Sequence, residues 1–299
     1  MKSLNSLIVS FVKLLPQPLV YIFAKKYIAG TKLEDGIKVV KELNSKGIVA
    51  TMDVLGEAIS TRKEAEAAKN ECLEVLDAIN KNNLDSNISI KPTQFGLLID
   101  EDFCYENVKQ VVERAKSYKN FVRIDMEDSA TTDAIIRLYK RLHNDYSNVG
   151  IVVQAYLMRT QKDVEELNQL GTNYRLCKGI YVEPAEIAYK DKNKIRENYL
   201  EILQKMLENG NYVGIATHDD YLVDGAYKMI SERKLERNKL EFQMLYGVKE
   251  NLRDKINSDR YKIRIYVPFG IHWYAYSIRR LQENPEVAWY IFKSLFTFN

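Results

Sequence analysis

Cysteine is scarce in this chain. Its three residues, Cys72, Cys104 and Cys177, form no Cys-x-x-Cys pair, which excludes a disulfide framework and makes a reducing cytoplasm the expected setting. Histidine is equally sparse, with three residues and no acids at metal-ligand spacing, so no metal site is expected. Charge of one sign is missing too: 44 Lys and Arg against 41 Asp and Glu leave a net +3, interspersed along the chain. That provides no field for nucleic acid. Long apolar runs are absent. Leu7-Ile-Val-Ser-Phe-Val12 is cut by Lys13, Pro16 and Pro18, well short of the ~20 residues that span a bilayer, and no small-residue cleavage site follows it. No stretch rich in Gly, Ser or Pro divides the sequence, so one domain is expected, with no second activity attached.

What the chain has is alternation. At 299 residues and 46% hydrophobic it can bury a sizeable core. Residues 3 to 28 read as short amphipathic helices broken at Pro16 and Pro18. Thr31-Lys-Leu-Glu34 reads as a capping box opening a helix that runs to about Ser45 and stops at Gly47. Eight short β-branched runs follow: Ile48–Asp53, Ile88–Lys91, Phe121–Asp125, Ile151–Gln154, Tyr174–Lys178, Tyr212–His218, Leu240–Leu245 and Ile263–Val267. Between them lie helical patterns such as Arg62–Asn80, Asn107–Tyr118, Thr131–His143, Lys162–Leu170, Ala185–Glu208 and Tyr221–Ser231.

Eight strands alternating with helices predict an α/β fold, a (βα)8 TIM-type barrel. A doubly wound open sheet is the competing architecture, but no Gly-x-Gly-x-x-Gly follows the first strand. Nearly every run also ends in a polar residue: Asp53, Lys91, Asp125, Gln154, Lys178, His218. In a barrel those ends converge on one face, so a single active-site bowl is expected. The predicted organisation is a helical extension over 1–46 and a barrel over 47–299. The tail from Ala288 to Phe298 has apolar residues at helical spacing and is expected to pack on the barrel.

Several residues in the bowl have more than one reading. Lys91 suits a Schiff-base nucleophile, an anion contact or an exposed charge. In Asp125-Met-Glu-Asp-Ser129, Asp128 and Ser129 read as a helix N-cap pair and Glu127 as solvated, which leaves Asp125 aimed inward. Arg175 and Lys178 fall on opposite faces of a regular strand unless it bends. His218 is a lone histidine, a type that is more often a hydrogen-bonded structural residue than a catalyst. Tyr266-Val-Pro-Phe-Gly270, a turn and a helix carrying Arg279 and Arg280 close the series. Two adjacent arginines on a helix read either as a solvated basic patch or, beside aromatic residues, as guanidinium forks suited to a small carboxylate held next to a flat ring.

Taken together, Lys91-Pro-Thr-Gln-Phe-Gly, Arg123-Ile-Asp-Met-Glu-Asp-Ser, Gln154-Ala-Tyr-Leu, Arg175-Leu-Cys-Lys-Gly-Ile-Tyr181, Ala216-Thr-His, Phe242-Gln-Met-Leu-Tyr-Gly247 and Tyr266-Val-Pro-Phe-Gly with Arg279-Arg280 resemble the FAD-dependent proline dehydrogenase family. The likeness covers about 50 to 285, with the motifs in order. It implies that Arg279, Arg280 and Lys91 grip a substrate carboxylate, with Glu283 orienting Arg280. Tyr266 and Tyr276 would wall the proline ring, with Leu245 as an apolar contact. Asp125 and Arg175 match the positions treated as catalytic. Met126, Gln154, Lys178, Gly179, Ile180, Thr217 and His218 match those that touch the flavin. The eighth helix is then expected over the barrel mouth.

Three positions depart from the family pattern: Ile180 where Ala is usual, Asp219 where Asn is usual, and Ile271-His272 in place of an acidic pair. The resemblance further implies L-proline as substrate, 1-pyrroline-5-carboxylate as product and a quinone as electron acceptor. A quinone requires transient contact with the inner face of a membrane, and the candidate segments are Leu7–Phe23 and the aromatic tail. Oligomeric state is left open. A Schiff-base lyase using Lys91 or Lys178, and a catalytically silent barrel, are the competing functional readings.

Overall fold

The computed structural model describes residues 17–56 and 59–283. The segment before residue 17 and the tail from Ala288 lie outside the described residues. Two helices lead in, α1 (Gln17–Ala24) and α2 (Leu33–Asn44). Eight strands follow: β1 (Val49–Val54), β2 (Ser86–Ile90), β3 (Val122–Ile124), β4 (Val149–Gln154), β5 (Tyr174–Cys177), β6 (Val213–Ala216), β7 (Leu240–Leu245) and β8 (Ile263–Phe269). Between them run α3 (Arg62–Lys81), α4 (Glu101–Ser117), α5 (Thr132–Asp145), α6 (Thr160–Asn168), α7 (Lys192–Glu208), α8 (Asp220–Glu232) and α9 (Glu250–Ser258), and α10 (Trp273–Glu283) follows β8. Every neighbouring pair of strands is parallel, and β1 pairs with both β2 and β8, closing the barrel. The expected architecture is therefore present, each strand within a few residues of its predicted place.

The local starts follow capping chemistry. Thr61 accepts a hydrogen bond from the Glu64 amide, and the Glu64 carboxylate accepts in return from the amides of Ser60 and Thr61. At α2 the cap differs from the expected Thr31–Glu34 box, because Asp35 accepts from the amides of Thr31 and Lys32. The helix starts one residue later as a result. Helix α7 begins at Lys192, not Ala185, where Asp191 caps the Lys194 amide. Gly47 has φ +72°, a left-handed turn that glycine adopts without a Cβ penalty, and it ends α2 as expected.

On the outside of the barrel, Ile88, Ile124, Ile151, Leu176, Ile215 and Ile265 are buried under the helices. Each fully buried aliphatic side chain contributes about 1.5–3 kcal/mol. Helix α2 packs on the seam between the first and last strands: a Cβ built on Gly36 would lie 2.8 Å from Met52 of β1 and 3.1 Å from the Phe269 ring of β8. Helix α10 packs elsewhere. Its Trp273, Tyr276 and Ile278 cluster with Val20, Ala24 and Tyr27 at the N-terminal end of the chain and with Leu55 just beyond β1.

Inside, the period-two alternation points polar residues at the axis. Arg264 on β8 donates to the Glu241 carboxylate on β7 at 2.5 and 3.2 Å and to the Ala50 carbonyl at 2.6 Å. Gln243, two residues along β7, donates to Glu241 at 2.6 Å and accepts from Arg175 of β5 at 2.5 Å. Burial pushes the Glu241 carboxyl up, but Arg264 beside it draws it down to about 2. Replacing Glu241 with Ala leaves the Arg264 guanidinium buried without its counter-ion. Urea titration of Glu241→Ala is expected to show a loss of about 3–5 kcal/mol.

Candidate active site

A cavity of about 630 Å³ opens at the carboxyl ends of the strands, a size typical of small-molecule and cofactor sites. Asp125, the residue after β3, has both oxygens engaged. Oδ1 accepts from Arg175 at 2.8 Å and Oδ2 from the Tyr266 hydroxyl at 2.9 Å. Arg175 also donates to Ser89 at 2.9 Å, and its guanidinium lies 5.2 Å from the centre of the Tyr266 ring. Burial, and then the carboxylates of Asp125 and Asp53, hold the Tyr266 phenol well above its ordinary range, so it stays a donor.

Lys91 follows β2, and Pro92 opens a short 3-10 helix just beyond it. Its ammonium donates to Asp53 at 2.5 Å and to the Tyr266 hydroxyl at 3.3 Å. Burial alone would pull the Lys91 pKa down, but the carboxylates of Asp53 and Asp125 outweigh it and raise it above the ordinary lysine value. A lysine held as ammonium is a poor nucleophile, which weakens the Schiff-base reading.

At the rim, β5 ends at Cys177, so Lys178 lies past the regular strand and lines the cavity together with Arg175. The expected conflict between their faces is removed because the strand stops between them. Cys177 lines the cavity too, but burial pushes its thiol up to about 12, which keeps it unreactive. Gly179 has φ +108°, and a Cβ there would fall 2.0 Å from the Tyr156 ring. The tight approach of this loop to Tyr156 therefore needs glycine. His218 accepts the Leu245 amide through Nε2 at 2.8 Å, tying the end of β6 to the end of β7. Gln154 is buried and donates to the Glu127 carbonyl at 2.8 Å.

Met126, Ile180, Thr217, Leu245, Tyr266 and Tyr276 line the same cavity. The structure thus gathers all but two of the expected site residues around one space. Arg279 and Arg280 fall on α10, and their side chains, like that of Glu283, lie outside the described residues. Tyr276 on that helix reaches the cavity, which places α10 at the barrel mouth.

Two readings from the sequence are corrected. Glu127 is buried, not solvated: it accepts from the Thr93 amide at 3.0 Å and hydroxyl at 2.5 Å. Ser129 does not cap a helix, since α5 starts at Thr132 and Ser129 donates to Glu183 at 2.7 and 2.5 Å. Among the lining residues that the sequence reading does not count as site residues are Asp53, Gln243 and Tyr27. The signal for Asp53 was its place as the polar end of the first strand, and for Gln243 its position two residues before Leu245. Tyr27 precedes the barrel and carries no such signal.

Asp219, the departure after Thr217-His218, accepts from Arg196 at 2.9 and 2.7 Å and from Lys178 at 3.2 Å. Its burial is opposed by these two cations, which draw the carboxyl down to about 2.

A closed parallel barrel with its charged cavity at the carboxyl face is the architecture of a barrel enzyme. The family model described as proline dehydrogenase matches residues 36–289. Proline dehydrogenase 2 of Bacillus subtilis (strain 168) is 37% identical over 274 residues, which is 92% of this chain and 90% of that protein. Proline dehydrogenase of Deinococcus radiodurans is 32% identical over 277 residues, 91% of this chain and 89% of that one. Among solved structures, proline utilization A from Bdellovibrio bacteriovorus, inactivated by N-propargylglycine, superposes with a TM-score of 0.83 at 26% identity, covering 88% of this chain and 32% of that larger one. The chain belongs to the proline dehydrogenase family.

Because the folded pKa of Asp219 lies below the ordinary carboxylate value, its ion pairs stabilise the protein above that value and are lost as pH falls through about 2. The stability gap between wild type and Asp219→Asn in urea titrations should be constant near neutral pH. It should shrink as pH drops from ~4 toward ~2.

Proposed function

We propose that this chain is an FAD-dependent proline dehydrogenase that oxidises L-proline to 1-pyrroline-5-carboxylate and passes the electrons to a quinone. The observation that carries this reading is the convergence of Lys91, Asp125, Arg175 and Tyr266 in one hydrogen-bonded group on the cavity wall of a family member.

The donor set suits a flavin. The Gln154 amide, Lys178 ammonium, Thr217 hydroxyl and His218 imidazole border the cavity on one arc of strands, β4 to β6, and the loop at Gly179 and Ile180 lies beside them. Those residues, with Met126, would hold FAD, which supplies a two-electron acceptor when bound. The barrel's own residues do the rest. Lys91, with Arg279 and Arg280 from the mouth helix, clamps the substrate carboxylate. Tyr266, Tyr276 and Leu245 enclose the ring and keep water from it. The amine must give up its proton before the ring carbon beside it gives up a hydride. The Asp125–Arg175 pair orients the charges around that nitrogen.

Among the described residues no helix is long and apolar enough to cross a membrane. A quinone acceptor requires contact with a membrane, for which Leu7–Phe23 and the tail are the proposed segments. Co-sedimentation with liposomes is expected for the full chain and should weaken when the tail is removed; equal pelleting of both, or of neither, refutes the tail as an anchor.

Purified protein should be yellow, and L-proline should bleach it in the absence of oxygen; a colourless protein that takes up no added FAD overturns the reading. Arg280→Met should raise KM for proline by about tenfold or more with flavin content kept, the signature of a lost carboxylate contact. An unchanged KM removes Arg280 from the clamp.

A further inference from the structure

Asp53 has a role that the carboxylate clamp alone does not assign it. It sits on β1 between β2 and β8, paired in register with Pro268, and its side chain is 2% exposed. One oxygen accepts from Lys91 at 2.5 Å; the other is buried with no hydrogen-bond partner. Asp125 cannot substitute for it. Its nearer oxygen is 3.9 Å from the Lys91 nitrogen, and both of its oxygens are already committed to Arg175 and Tyr266.

A lysine ammonium has three donors on a flexible stem of four methylenes. Here one donor is taken by Asp53 and one by the Tyr266 hydroxyl, while the side chain of Lys91 keeps 21% of its surface exposed. The remaining donor is left for the cavity. The groups facing Lys91 are Asp53 from β1, Asp125 and Glu127 from beyond β3, Tyr266 from β8 with Arg175 over its ring, and the Cys72 thiol of α3, which burial pushes up to about 12. Of the carboxylates among them, only Asp53 is in hydrogen-bond contact with the ammonium.

Resting on the proposed proline oxidation, we propose that Asp53 is a positioning residue. It lies behind Lys91, keeps that side chain charged, and aims its free N–H at the place where the substrate carboxylate binds. Asp53 borders the cavity, but one oxygen is held by Lys91 and the other is buried, so it acts on the substrate through that lysine. Removing its charge frees the lysine stem and takes away the main counter-charge that offsets burial, so the ammonium becomes both mobile and easier to deprotonate.

The test uses flavin-loaded full-length protein and a carboxylate that has the ring of proline but no amine, cyclopentanecarboxylate, with Kd read from the flavin spectrum. For Asp53→Asn, KM for L-proline and Kd for the probe should each rise by about tenfold while kcat changes by less than about threefold. The variant's Kd should weaken further between pH ~7 and ~10, where the wild type stays flat. In a Lys91→Met background, Asp53→Asn should add less than about twofold to Kd, because its effect acts through that lysine. A wild-type Kd and a flat pH profile in Asp53→Asn, or full additivity with Lys91→Met, overturns the proposal.

If Asp53→Asn does not fold, Asp53→Glu serves instead. It keeps the charge but moves it by one methylene, so Kd should rise with the pH profile still flat, and an unchanged Kd overturns the positioning role. A wild type that L-proline does not reduce fails the enzymatic reading itself, whereas a wild type that bleaches beside an indifferent Asp53 variant fails the positioning role alone.

Discussion

The pairing of Arg175 with Asp125 is the contact on which the interior of this barrel depends. Arg175 is 8% exposed at its side chain and Asp125 13%, so each offsets part of the other's cost of leaving water, and losing either would leave a buried charge unpaired. From that pair the polar contacts run both ways. Downward they pass through Gln243 to Glu241 and Arg264 at the floor, and upward through Tyr266 to Lys91 and Asp53 at the cavity wall. A barrel filled with branched aliphatics needs no such chain. This one carries charge on its axis, and every charged member must be matched by the next.

Most of the fold was legible in the residues because a strand's two-residue period and a helix's 3.6-residue period are written directly in side-chain polarity. The eight runs are visible for that reason, and their polar ends point to one face, whereas alternation alone leaves open whether Arg175 or Lys178 faces inward. What stayed hidden depended on contacts distant in sequence. Glu127 looks solvated until Thr93, 34 residues earlier, is seen to hold it; Ser129 looks like a cap until Glu183, 54 residues later, takes both its donors. Tyr27 enters the cavity from a segment with no barrel periodicity at all. Local patterns carry local geometry, and partners across the barrel leave no trace in them.

The departures from the family pattern become concrete side chains. Asp219 gathers Lys178 and Arg196 on a single carboxylate, fixing at the rim a cation that an amide in its place would hold less strongly. Ile180 is 43% exposed on the cavity rim, so its extra bulk bears on what lies in the mouth and not on the packed core.

Helix α2 lies against the seam of β1 and β8, with Gly36 close to Met52 on one side and Phe269 on the other. The element that begins this packing is therefore completed only by the last strand of the sheet, more than two hundred residues further on. A contact of such sequence separation is made against a large loop-closure entropy and belongs to the slow part of folding. During synthesis α2 emerges with half of its binding surface still unmade, and the ring becomes a cooperative unit only when its final strand has been delivered.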